Sequence, residues 1–159
     1  MAKQYLRLTF YGRETPVHVE IGQVDAEDIM AGLKGLSAGG KDIKAFYLFP
    51  IGGELSILIS VAEIQTVQLT SKQNGDWKPA ALAHGGVAFH LKGRIHPLEL
   101  DYTGHGPLDD MFHGLADTDY GEAAPGCIML ADGAGEPAFF RLDEIQYAIA
   151  QSSLIKRLS

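Results

Sequence analysis

The densest run of side chains able to do chemistry is His105-Gly106-Pro107-Leu108-Asp109-Asp110-Met111-Phe112-His113. Positions four apart share one face of a helix, so Asp109 and His113 can offer a carboxylate and an imidazole to one divalent cation. His105 would complete the ligand set from the preceding loop, and three protein ligands are the minimum a zinc site uses. The competing reading is an acidic helix start favoured by the macrodipole, followed by a surface histidine.

Two further pairs stand out because each recurs at an interval of 81 residues. Arg13 and Arg94 follow a glycine, and Glu63 and Glu144 lie where a long strand is expected to bend. The arginines can ring a pore or an anion site in an assembly, or act as cross-strand charge partners. The glutamates can pair with a neighbouring subunit's backbone or sit as solvated turn acids. Other signals are weaker. Ser37-Ala38-Gly39-Gly40-Lys41 lacks the spacing of a phosphate loop. Cys127, beside Ile128 and Met129, reads as a buried and inert strand residue. No HExxH or Gly-x-Ser-x-Gly motif is present, so neither enzymatic activity nor a cofactor is expected.

The recurrence belongs to an internal repeat. Gly12 to Glu20 lines up with Gly93 to Asp101, and Glu63-Ile64-Gln65 returns as Glu144-Ile145-Gln146, both at an offset of 81. Between them the offset shifts to 82, pairing Asp28 with Asp110, Gly32-Leu33 with Gly114-Leu115, and Gly53-Glu54 with Gly135-Glu136. Apolar alternation repeats too, in Leu6, Leu8 and Phe10 and again in Val87, Phe89 and Leu91. The chain therefore divides into a first repeat over 1–71, a linker over 72–82 and a second repeat over 83–159.

Each copy predicts the same elements. A strand over about 5–11 turns at Gly12 into a second over about 15–21, which is a hairpin signal. A helix over about 25–36 follows, with Asp25 as N-cap and Ile29, Met30 and Leu33 at helical spacing. Two more strands come after, one over about 45–49 and one from Leu55 to Leu69 that bends near Ala62-Glu63. Pro107 suits a first helical turn in the second copy. So small a unit cannot cover both faces of an open sheet, and the expected fold is mainly β, two tandem small bent barrels with one short helix each. Trp77, in the linker, is expected to pack over the junction.

The last two strands of each copy carry a resemblance. Phe46-Tyr47-Leu48-Phe49, a glycine turn and Ile57 to Val67, together with Phe139 to Ala148, resemble the closing hairpin of Sm-like (LSm, Hfq-type) small barrels. Asp-Ile-Met-Ala-Gly-Leu at 28–33 and Asp-Met-Phe-His-Gly-Leu at 110–115 are similar to blocks of bacterial Sm-related domains of unassigned function. The resemblance implies homo-oligomeric rings built by edge-strand pairing, in which three two-unit chains form a pseudo-hexamer; a simple dimer, or the two barrels pairing within one chain, are the alternatives. It does not carry over uridine binding. Hfq-type proteins place a Lys-His pair before the last strand, whereas this chain has Ala62-Glu63 and Asp143-Glu144, and a carboxylate repels phosphate.

Charge points the same way. The 13 basic and 20 acidic residues give −7, so DNA is not expected as a partner and a scaffold or binding module is the expected role. RNA binding, which the resemblance implies and the charge disfavours, is the alternative. Residues 1–75 carry −1 and residues 76–159 carry −6, and five of the six histidines, His84, His90, His96, His105 and His113, fall in the second copy. One cysteine excludes an internal disulfide, and no run is apolar enough to span a membrane or serve as a signal peptide. A cytoplasmic location is expected.

Overall fold

The computed structural model describes residues 4–37, 39, 43–51, 54–71, 86–100, 107–119, 127–131 and 136–155. The linker over 72–82 with Trp77, the Gly52-Gly53 turn, His84 and His105 lie outside the described residues.

Each repeat opens on the expected hairpin. β1 (Gln4–Phe10) pairs with β2 (Val17–Ile21), and β6 (Val87–Leu91) pairs with β7 (Leu98–Leu100). Both turns contain a glycine in the left-handed region, Gly12 at φ +76 and Gly93 at φ +73. A side chain there costs ~1–2 kcal/mol, which is why glycine recurs at that point of the repeat.

α1 (Gln23–Ser37) starts ahead of the expected cap, so Asp25 lies inside its first turn and the Ala26 N–H reaches the carbonyl of Gly22. Burial, and then the neighbouring Asp28, raise the Asp25 carboxyl above its ordinary range. α2 (Pro107–Ala116) opens at Pro107 and buries Leu108, Met111, Phe112 and Leu115 as one stripe. The closing strands follow in both copies. β3 (Phe46–Ile51), β4 (Leu55–Ser60) and β5 (Ile64–Thr70) correspond to β8 (Cys127–Ala131), β9 (Pro137–Arg141) and β10 (Ile145–Gln151). The expected bend is a one-turn 3-10 helix, over Val61–Glu63 and again over Leu142–Glu144. A short α3 (Ser152–Ile155) ends the described chain. Phe46 lies opposite Ser60 and Cys127 opposite Arg141, so these strands keep the 81-residue offset where the sequence comparison placed 82.

The strands form three sheets, β2-β1-β5, β3-β4-β10-β6-β7 and β8-β9. The protein is mainly β, as expected, but no sheet closes into a barrel among the described residues. Closure of the first repeat would need ladders between β2 and β3 and between β4 and β5; neither is present among the described residues, and the edge of β4 is taken by β10. The five-stranded sheet belongs to both repeats, because β4 of the first pairs antiparallel with β10 of the second, from Tyr147 opposite Ile59 to Gln151 opposite Leu55.

Alternation along the shared strands divides two cores. Ile57, Ile59, Tyr147 and Ile149 face a core with β1, β2 and α1, whereas Leu58, Phe46, Ala148 and Ala150 face one with α2, β6 and β9. Each repeat thus lends side chains to the other's core, and burying a side chain of this size stabilises by ~1.5–3 kcal/mol. A second seam joins the repeats at Lys44, whose ammonium lies 2.9 Å from Asp119 while the Ala45 N–H donates to Thr118.

Candidate functional site

Two of the four charged residues singled out in the sequence, Arg13 and Glu63, converge where the repeats meet, around the glutamine of the repeated Glu-Ile-Gln. Gln146, 1% exposed on β10, is surrounded by partners from the first repeat. Its Oε1 accepts from Arg13 Nε, and its Nε2 donates to the Tyr11 carbonyl at 2.6 Å and to Glu63 Oε1 at 3.3 Å. Arg13 follows Gly12 in the turn between β1 and β2. It donates to the Leu91 carbonyl at 2.9 Å and lies 5.6 Å over the Tyr147 ring.

Glu63 is buried at the bend before β5, and its other oxygen meets Lys92 Nζ at 2.9 Å. That hydrogen bond is the main cause raising the Lys92 ammonium above its usual value. Every buried polar atom of Gln146 is therefore satisfied across the junction, and a satisfied network of this kind fixes one arrangement of the two repeats.

The matching positions of the second copy are built differently. Arg94, Gln65 and Glu144 are exposed, and among the described residues they do not meet one another as Arg13, Gln146 and Glu63 do. The repeat made Arg13, Arg94, Glu63 and Glu144 visible, but not that only one copy is used within the chain.

Beside Arg13 lies an open cleft of about 480 Å³, lined by Arg13, Glu14, Thr15, His90, Ile95 and Tyr147. His90 stacks on Tyr147 with ring centroids 4.0 Å apart. Burial, assisted by Arg13, lowers its imidazole to about 4, so it is neutral at physiological pH. Neither ring nitrogen has a partner in the structure. His18 is similar, buried and stacked on Tyr5 at 5.3 Å, and burial again lowers it.

The candidate metal residues are partly placed. His105 lies outside the described residues; Asp109 Oδ1 and His113 Nε2 are 3.1 Å apart on α2. The same His113 nitrogen sits 2.7 Å from the Ile155 carbonyl. Between two acceptors, that nitrogen carries a proton, which leaves only Nδ1 able to meet a cation. Among the described residues no three metal-ligating side chains form a group. Cys127 is exposed, contrary to the expectation of burial, because the two-stranded β8-β9 sheet is extended by no further described strand. Among the described residues no helix is long and apolar enough to cross a membrane.

This arrangement joins two repeats through a polar cluster whose donors and acceptors are spent on each other. No protein-family model, curated protein or solved structure matches the chain.

Proposed function

We propose that the chain is a non-enzymatic scaffold that assembles with further copies of itself, two Sm-like units to a chain. The observation carrying this reading is the antiparallel β4-β10 ladder, which joins the repeats through two strand edges that recur elsewhere in the molecule. Their counterparts are β9 and β5, and both are outermost strands among the described residues. Unpaired edges invite a further strand, and a head-to-tail contact of this sort closes into a ring or runs on as a filament. Three chains would supply six units, the pseudo-hexamer the resemblance implies.

RNA binding draws no support from the bends. Glu63 is engaged with Lys92 and Gln146, and Arg141 lies against Asp143, at 3.4 Å, beside Glu144. The test is light scattering of the purified chain over a concentration series. The proposal expects a mass of three chains or another whole-number assembly, and a single-chain mass throughout would contradict it.

A further inference from the structure

We propose that the cleft beside Arg13 binds a small organic monoanion, a carboxylate on a short apolar body. Its head meets Arg13 and His90, and its body lies on Ile95 and Tyr147. The site is independent of self-association, since every residue it uses belongs to one chain.

His90 carries the argument. It is 8% exposed and lines the cleft, yet neither ring nitrogen meets a hydrogen-bond partner. A neutral imidazole has one N–H donor and one acceptor, and leaving both unsatisfied in a covered position costs free energy that a ligand can return. The stack on Tyr147 holds the ring in place.

Arg13 supplies the charge. Its partners among the described residues are the Gln146 side-chain oxygen, the Leu91 carbonyl and the Tyr147 ring, all of them neutral. The two hydrogen bonds use two of the five N–H donors of a guanidinium, and among the described residues no carboxylate forms an ion pair with it. A half-buried cation without a counter-ion is complemented by an anion, and the remaining donors suit a carboxylate.

Glu14 and Ile95 narrow the class. Glu14 is the acid of the lining, and an exposed carboxylate there repels a second negative charge, which favours a monoanion over phosphate. Ile95, at 87%, is the most exposed large hydrophobic side chain among the described residues, and it forms a wall of the cleft. An apolar body laid on it leaves water together with it. A volume of about 480 Å³ accommodates a chain of several carbons.

The repeat marks this wall as particular to one junction. His90 and Tyr147 lie opposite each other on β6 and β10, and 81 residues earlier Thr9 and Thr66 lie opposite each other on β1 and β5. Those two hydroxyls bond to one another. Beside Arg13 the same pair is a stacked imidazole and phenol, with the imidazole left unsatisfied.

The experiment titrates hexanoate into the full-length chain at neutral pH and follows the His90 ring and Ile95 methyl signals by nuclear magnetic resonance. Both are expected to shift together and saturate, with a dissociation constant on the order of 1 mM. Saturation should also raise the pH at which His90 titrates, because a bound carboxylate favours the imidazolium. His90→Phe is expected to weaken binding about tenfold, the loss of one charge-assisted hydrogen bond. Ile95→Ser changes an exposed side chain, so the fold is kept, and it should weaken hexanoate about threefold. Hexylammonium binding as tightly as hexanoate, or inorganic phosphate binding more tightly, would overturn the ligand class. A titration that moves neither signal overturns the site, as does parent affinity in both variants.

Discussion

Arg13 donates through Nε to the side-chain oxygen of Gln146, and in doing so ties the first hairpin of one repeat to the last strand of the other. The two residues are 133 positions apart in the chain. Around that bond the Tyr11 carbonyl and Glu63 accept from Gln146, and Lys92 pairs with Glu63.

Replacing Gln146 with Leu keeps the volume but leaves the Arg13 Nε donor and the Tyr11 carbonyl without a partner. The expected loss is about 1–3 kcal/mol, the cost of orphaning a buried polar group. Urea unfolding of the dilute chain measures it. Gln65→Leu, at the exposed counterpart, is expected to change the dilute chain by less than about 0.5 kcal/mol.

Lys92 and Glu63 form a pair of unequal burial, the ammonium half-exposed and the carboxylate nearly covered. Lys92→Met is expected to cost about 1–2 kcal/mol, between the values for exposed and buried pairs. Glu63→Gln in the same chain should recover part of that loss, and a double-mutant cycle reads the coupling directly. Because the pairing raises the Lys92 ammonium above its ordinary 10.5, the contribution is complete below that pH and fades as pH rises through the raised value.

His90 gives the fold an acid sensitivity of known sign. Its imidazole titrates at about 4 in the folded protein against an ordinary 6.5, so between those values the unfolded chain binds more protons. Stability is greatest above pH 6.5 and falls as pH drops toward about 4, and lowered His18 acts in the same direction. His90→Phe preserves the stack on Tyr147 and removes this group's share. The melting temperature of the variant should therefore fall less steeply over that range than the parent's, and parallel curves would count against the assignment.

Gly32 on α1 allows Tyr47 to approach the helix. A methyl group there would lie 2.2 Å from the Tyr47 hydroxyl and 3.1 Å from Ile43. Gly32→Ala is expected to destabilise by about 1–3 kcal/mol, the usual range for overpacking. Tyr47→Phe removes the nearest atom, so the same glycine substitution should cost less in that background by thermal melting.

Much of the local fold is legible in the sequence because it has a period. Leu6, Leu8 and Phe10 alternate, Leu108, Met111, Phe112 and Leu115 keep helical spacing, and Gly12 and Gly93 mark turns that only glycine takes without strain. The cross-repeat ladder was harder to see. Its signal is the unbroken apolar run Ile57-Leu58-Ile59, which suits a strand covered on both faces, but such a run does not name its neighbour. Barrel closure was expected from size alone, and size does not say which edge pairs with which. The site was half legible for a similar reason. Glu-Ile-Gln stands in both copies, so only the fold distinguishes buried Gln146 from exposed Gln65.

Amide hydrogen exchange of Val67 and Phe139, followed as the chain is concentrated, tests most directly whether β5 and β9 repeat the β4-β10 pairing. Both amides should exchange rapidly in dilute solution and become protected at high concentration, toward the level of Ala148 and Leu58, in step with a rise in mass. Rapid exchange at both amides in a concentrated, assembled sample would contradict it.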